Sequence, residues 1–148
     1  MNRHTARAGD EGLSRRSWAD RWATAIRWAA AVVFVVFGAG KFVNHASELA
    51  SFRRYALPAP GAFVYLIGVL EIVGGVLLAS AVLVRLAALA LAVDMVGAIV
   101  VSGLGRGEDI SLTLAPALLV AMIFLILVGA AGRRGARHSS VARRQRKR

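Results

Sequence analysis

Residues 62–102 read AFVYLIGVLEIVGGVLLASAVLVRLAALALAVDMVGAIVVS, and this stretch decides the fold. Before its last residue, Ser102, it is apolar apart from four residues: Glu71, Ser80, Arg85 and Asp94. A helix crosses the ~30 Å hydrocarbon core of a bilayer in about 20 residues, so about 40 residues make two crossings with a turn between them. The most polar place for that turn is Ser80–Arg85. The stretch therefore predicts two antiparallel membrane spans, near residues 61–80 and 84–102.

Two further apolar stretches flank this pair. The first, residues 22–43, reads WATAIRWAAAVVFVVFGAGKFV. The last covers residues 112–131, where Asp109 or Ser111 can cap the helix and Pro116 falls in the tolerant first turn. Together with the central pair, these stretches predict an all-α fold, an integral membrane bundle of four transmembrane helices.

The charged residues are unevenly distributed along the chain. The sequence is 57% hydrophobic and 18% charged, and most of the charges lie at the two ends. A soluble domain spreads its charges over its surface. The pattern instead predicts one membrane domain at residues 22–131 between two basic tails, 1–21 and 132–148, which we expect to be disordered.

The bias of basic residues predicts the orientation of the spans. Fifteen of the 19 lysines and arginines fall on one side: six up to Arg27, Arg85 in the central turn and eight in the C-terminal tail. The other side holds four, which are Lys41, Arg53, Arg54 and Arg106. We therefore expect a multi-pass protein of the cell membrane with both termini in the cytoplasm. The C-terminal run RRGARHSSVARRQRKR is typical of a segment that fixes topology and meets anionic lipid, and no nucleic-acid partner is expected.

Three ionisable residues on three different spans fall at similar depths in the membrane. With ~1.5 Å of rise per residue, Glu71 and Asp94 lie near the midplane and Lys41 lies in the outer half, all within about 8 Å of depth. Ionisable residues inside a membrane are functional-site candidates by default. The three therefore predict a buried polar cluster, either a structural network or a group that handles protons or a ligand.

Small residues accompany each of these charges at i±3 and i±4, the positions that share a helix face. Small residues mark the faces on which membrane helices approach closely. The glycines that we expect at helix contacts are Gly38, Gly68, Gly74, Gly75 and Gly97. Arg85 is expected at the inner interface. Each buried charge is thus predicted to face another helix rather than lipid.

Four segments together resemble the DoxX family of small four-helix membrane proteins. They are GAGKF (38–42), LPAPG (57–61), GVLEIVGG (68–75) and VRLAALALAVDMVGA (84–98). The resemblance covers roughly residues 24–130. The turn LASAVLVR lacks the glycine that is usual in the family before the arginine, here Arg85. The resemblance implies a membrane bundle in which Lys41, Glu71 and Arg85 match recurrent charged positions.

The resemblance also implies a function, because some members of the family are small subunits of quinone-linked or oxidative-stress redox complexes. The expected cofactor is a quinone, with no metal and no covalently bound group, and the expected partners are the lipid bilayer, oxidoreductase subunits and further copies of the chain. His45, Arg53 and Tyr55 are candidates for contacting a quinone headgroup or another ligand at the outer surface. The chain has no cysteine, which excludes thiolate catalysis and iron–sulfur clusters. The sequence shows no autonomous catalytic or redox-cofactor motif, and a role as an oxidoreductase subunit stays open.

Two other functions remain open on the sequence. Carboxylates at the midplane on glycine-lined helices also suit a small proton-coupled transporter. Alternatively, the charges could specify helix packing in a structural or assembly protein without catalytic activity. For such a role, Ser47–Tyr55 could form a short amphipathic helix on the outer face, although an ordinary loop fits the same residues.

Overall fold

In the computed structural model, every element of the described chain is helical. The structure describes residues 3–56, 59–105 and 107–145, and it describes side chains for residue 18 and for most residues of 20–128. The helices are α1 (Arg3–Val43), α2 (His45–Arg54), α3 (Pro60–Ala79), α4 (Val84–Ala98) and α5 (Asp109–Gln145). A π-helical segment, Ile99–Leu104, continues α4.

Four helical stretches are long and apolar enough to cross a membrane, which confirms the predicted all-helical fold with four spans. They are Asp20–Val43, Pro60–Ala79, Val84–Leu104 and Ser111–Val128. Their bounds lie within a few residues of the predicted ones. Helices α1 and α5 continue beyond the spans into the basic tails. Residues 1–2 and 146–148 lie outside the described residues. That the tails are disordered stays a prediction.

The spans form a ring in which α1 packs along α3, α3 along α4, and α4 along α5. Helices α1 and α5 also touch, whereas α1 and α4 lie diagonally, with no close backbone approach among the described residues. The core consists of apolar side chains, among them Ala31, Phe34, Leu78, Leu91 and Met122. Because all four spans contribute to it, the core fixes their relative positions.

The position of Pro116 and the backbone of the turn between α3 and α4 were not predicted from the sequence. Pro116 lies inside α5, which begins at Asp109, so the prediction that it occupies the first turn is wrong. The turn between α3 and α4 has no glycine, and Ala81 and Leu83 adopt positive φ angles of 59° and 49° there. This left-handed backbone costs an L-residue roughly 1–2 kcal/mol. The chain therefore makes this tight turn with two non-glycine residues in an unfavourable backbone conformation.

Residues 45–54 form the helix α2. For Ser47–Tyr55 the sequence left a short helix and an ordinary loop open, and the structure has the helix. Glu48, Phe52 and Tyr55 are spaced i, i+4 and i+7, so they lie on one face of α2 and of the residue that caps it. That face turns toward the bundle, because all three residues line its central cavity. Helix α2 thereby lies across one end of the bundle.

Candidate functional site

An ion pair joins α1 to α3 inside the bundle. Lys41 Nζ donates a hydrogen bond of 2.8 Å to Glu71 Oε2. Glu71 is buried, with 4% of its surface exposed, and Lys41 is partly buried. A buried carboxylate without a partner would be very unfavourable in this environment. The pair therefore makes the burial of Glu71 tolerable and links the two helices.

Glycine allows α1 and α3 to approach closely enough for this pair. A Cβ atom at Gly38 would lie 2.8 Å from the carbonyl oxygen of Gly68, and one at Gly75 would lie 2.9 Å from the carbonyl oxygen of Ala31. Both distances are shorter than any real contact, and backbone atoms cannot move aside as a side chain can. At Gly68 and Gly74 an added Cβ would overlap Phe42 and Leu91, respectively.

Gly97 does not fit the prediction that it packs against another helix. A Cβ atom there would meet nothing within 4 Å, and the residue is exposed. Gly97 lies on the part of α4 that lines the central cavity, where α1 is diagonal to α4 and no helix is in contact. The pattern of small residues could not distinguish a helix contact from the wall of a cavity.

Asp94 on α4 lies in the same cavity as Lys41 and Glu71. Lys41 acts on it electrostatically, and Asp94 in turn acts on Glu71. Its Oδ2 atom is buried and has no hydrogen-bond partner among the described residues. Lys41 therefore pairs with Glu71 and acts on Asp94 only electrostatically, and one acceptor atom in the cavity is left for another donor.

The cavity has a volume of about 450 Å³ and is lined by all four spans and by α2. Its walls are mostly apolar and include Phe34, Phe37, Phe52 and Phe63. Small-molecule sites in proteins have volumes of ~300–1,000 Å³ and combine apolar walls with a few polar groups. The size and lining of this cavity match that description.

The cavity also faces sideways. Phe37 on α1 and Val93 on α4 both line it, yet 41% and 67% of their surfaces are exposed. In a protein embedded in lipid, such exposed apolar side chains meet the hydrocarbon core. A lipid-soluble molecule would thus have a route from the bilayer into the space between α1 and α4.

A hydrogen bond ties α2 to the loop before α5 at one end of the cavity. The hydroxyl of Tyr55 donates to Glu108 Oε1 at 2.6 Å. Burial, and next the hydrogen bond to Glu108, raises the pKa of Tyr55 to about 12. Beside this bond, the hydroxyls of Ser102 and Ser111 lie 2.5 Å apart and join the π-helical segment to α5.

His45 and Arg53, the other two candidates for contact with a ligand at the outer surface, do not line the cavity. His45 stacks on Tyr65 with 4.6 Å between ring centroids, and its Nδ1 atom is buried without a hydrogen-bond partner among the described residues. Arg53 is exposed on α2, and Arg85 is partly buried at the start of α4. Of the three candidates for ligand contact, only Tyr55 reaches the cavity.

Sequence reasoning missed Glu48 and Glu108, which also line the cavity. Glu48 could have been found from its spacing with Phe52 and Tyr55. Glu108 could not, because its partner Tyr55 is 53 residues away and no local pattern links them. Within the described residues, no group of three or more histidine, aspartate or glutamate side chains is arranged to hold a metal ion.

A family comparison assigns the larger part of the chain. The family model of DoxX matches residues 22–104, which include the first span from its third residue on, α2 and the next two spans. This chain belongs to the DoxX family. The match confirms the resemblance drawn from the four sequence segments, and it places Lys41, Glu71 and Asp94 within the DoxX region.

A search of curated proteins found a relative in Mycobacterium tuberculosis, the uncharacterized membrane protein Rv3486. It is 42% identical over 81 residues, which cover 53% of this chain and 49% of the relative. The DoxX chain thus spans about half the length of the curated relative that it matches. No solved structure matches this chain.

Proposed function

We propose that this DoxX protein is a small membrane subunit of a quinone-linked redox complex and that the quinone binds in the cavity between its spans. One observation carries the proposal: a single cavity combines phenylalanine walls, a sideways opening toward the bilayer and the three ionisable residues Lys41, Glu71 and Asp94. An apolar ring and tail suit the walls, and the ionisable residues suit a polar headgroup.

The residues that line the cavity fit a quinone. Lys41 Nζ uses one hydrogen in its bond to Glu71 and has two more to offer to a carbonyl oxygen. Asp94 Oδ2 is an acceptor without a partner among the described residues, and it suits the hydroxyl of the reduced form. When bound, a quinone would supply the electron-carrying group that the side chains of this cysteine-free chain lack.

In this proposal the chain's own residues hold and orient the headgroup and exchange protons with it. Lys41 donates a hydrogen bond to an oxygen of the headgroup. Asp94 accepts a proton from it or returns one, and Glu71 keeps Lys41 in position. Electrons would pass to or from a partner subunit.

We also propose that the protein lies in the cell membrane with both termini in the cytoplasm. The excess of arginine in the tails supports this orientation, since basic residues are retained on the cytoplasmic side. Four spans return the chain to the side on which it began. Helix α2 and the 103–111 loop would then face the outside.

The test is purification of the tagged protein from its native membrane in a mild detergent. Mass spectrometry would identify proteins that co-purify, and solvent extraction would recover bound quinone. We expect a stoichiometric oxidoreductase partner and retained quinone. Asp94→Asn should lower the quinone content, whereas the matched variant Asp20→Asn, an exposed aspartate outside the cavity, should not.

A homo-oligomer that carries neither quinone nor an oxidoreductase would contradict the proposal. Transport or membrane organisation would then become the leading function. Loss of quinone in both aspartate variants would show that retention depends on general stability rather than on the cavity.

A further inference from the structure

Among the described residues that line the cavity, the polar ones lie toward one end of the bundle. At the end of the bundle that carries α2, three polar residues line the cavity and are also partly exposed: Glu48, Tyr55 and Glu108. Ser111 beside them is likewise partly exposed and lines the cavity. Polar groups therefore lead from the surface at this end to Lys41, Glu71 and Asp94.

The opposite end of the bundle, toward the tails, is filled by apolar side chains. The core residues there are each at most 5% exposed: Ala30, Ala31, Leu78, Ala88, Leu91, Met122 and Leu125. Among the residues whose side chains are described, the buried polar ones are Glu71 and Ser102, and both line the cavity. None of these described core side chains carries an N–H or O–H group or an oxygen atom that could bind water.

We infer that water and polar ligands reach the DoxX cavity only from the end of the bundle that carries α2, and that the apolar core seals the cavity from the side of the tails. This inference deepens the proposed function and rests on it, because it assigns the side from which the proposed site is reached. It concerns polar access, and the sideways opening to lipid is separate from it.

Physical reasons support the one-sided access. A buried water is stable where it finds about three hydrogen-bond partners, and carboxyl and hydroxyl groups supply them along the α2 side. An apolar core packed at the density of an organic crystal has neither the space nor the partners. For the same reason a polar solute would not cross that core without a large rearrangement of the helices.

The absence of cysteine makes a direct test possible, because a single introduced thiol is then the sole site for a thiol reagent. Gly97→Cys places a thiol in the cavity wall where a Cβ meets nothing within 4 Å. Val96→Cys is the matched control, since Val96 is the next residue on α4, is exposed and does not line the cavity. The probe is a charged, membrane-impermeant methanethiosulfonate, applied to membrane vesicles of either orientation.

We expect Gly97→Cys to react from the α2 side and not from the tail side. It should react about tenfold faster than Val96→Cys, because the reactive thiolate forms poorly in apolar surroundings. Ser47→Cys on α2 and Ser140→Cys in the C-terminal tail identify the side that each vesicle preparation exposes to the reagent.

Three results would overturn the inference. They are reaction of Gly97→Cys from the tail side, reaction from both sides, or no more reaction than Val96→Cys from either side. Each can be told apart from failure of the proposed function, because quinone retention is measured on the purified wild-type protein. If Gly97→Cys reacts from the α2 side but the purified protein retains no quinone, the access route is supported and the proposal that quinone binds in the cavity is rejected.

Discussion

Lys41 is the cationic side chain among the described residues that line the cavity. It bonds directly to Glu71 and acts electrostatically on Asp94, while Glu48 and Glu108 line the same space. Each of the two deeper acids depends on this ammonium group for compensation in a low-dielectric environment. The roles of the three residues are therefore unequal, and substitutions should reveal this.

Lys41→Met should destabilise the protein more than Glu71→Gln. Loss of the lysine leaves Glu71 and Asp94 without a cation, and breaking a buried pair in this way costs about 3–5 kcal/mol. Loss of the Glu71 charge leaves Lys41 with Asp94, so the free energy of unfolding should fall by less than half as much. Unfolding in detergent micelles measures both values, and equal losses would contradict the unequal roles.

Tyr55 should make the protein sensitive to alkaline pH. Its pKa is raised to about 12 in the folded protein from its ordinary value of 10. The stabilising effect of the neutral hydroxyl is fully present below pH 10. It is lost as the pH rises toward 12, because the unfolded chain gives up this proton first.

Tyr55→Phe tests this sensitivity, since phenylalanine retains the ring and removes the titrating group. We expect the wild-type protein to lose thermal stability more steeply than the variant between pH 10 and 12. Tyr65→Phe is the control, because it shows how much removal of another tyrosine hydroxyl changes the loss of thermal stability over the same pH range. Parallel curves for wild type and Tyr55→Phe would exclude a role for the hydrogen bond to Glu108.

At the scale of the helices, close approach is concentrated where α1 meets α3. Gly38, Gly68 and Gly75 all lie on this contact, and an added Cβ at each would overlap the facing helix. Membrane helices associate through such close packing because lipid provides no hydrophobic force between them. The Lys41–Glu71 pair lies on the same contact, so packing and charge support each other.

Gly75→Ala should be destabilising, whereas Gly40→Ala should not. A Cβ at Gly75 would lie 2.9 Å from the carbonyl oxygen of Ala31, and one at Gly40 would meet nothing within 4 Å. Overpacking costs about 1–3 kcal/mol, whereas replacing a helical glycine with alanine in open space gains roughly 0.5–1 kcal/mol. Thermal unfolding of both variants in the same detergent compares them. A Gly75→Ala variant as stable as wild type would show that α1 and α3 lie further apart.

For the whole molecule, four spans and the placement of basic residues define the topology that we propose. In this topology fifteen basic residues lie toward the side of the tails, namely six up to Arg27, Arg85 and eight in the C-terminal tail. The other four, Lys41, Arg53, Arg54 and Arg106, lie toward the opposite side. Both the charge of the tails and the polarity of the cavity are thus asymmetric across the membrane. The polar end of the cavity lies opposite the basic tails.

Reporter fusions should reveal this orientation directly. A fluorescent protein fused after Arg148 should fluoresce, and alkaline phosphatase at that position should be inactive, because the C-terminus is expected in the cytoplasm. Phosphatase inserted at Gly107 should be active, since the 103–111 loop is expected outside. The opposite pattern would reverse the orientation and would place the open end of the cavity on the cytoplasmic side.

The sequence by itself determined the number of spans, their approximate bounds and the family. The reason is that the length of an apolar run and the segments near Lys41, Glu71 and Asp94 are local properties of the chain. It also predicted similar depths for these three residues, because a helix has a fixed rise per residue. The spacing of small residues likewise predicted glycines at helix contacts, but not which helices meet there.

Only the tertiary structure decided which faces meet. Local spacing assigned Gly97 to a helix contact, but the diagonal arrangement of α1 and α4 leaves it in a cavity wall. Tyr55 meets Glu108 across 53 residues, and a one-sided path of polar groups results from α2 lying over one end of the bundle. Such contacts depend on the rotation of each helix about its axis, which is set by packing against all neighbouring helices together.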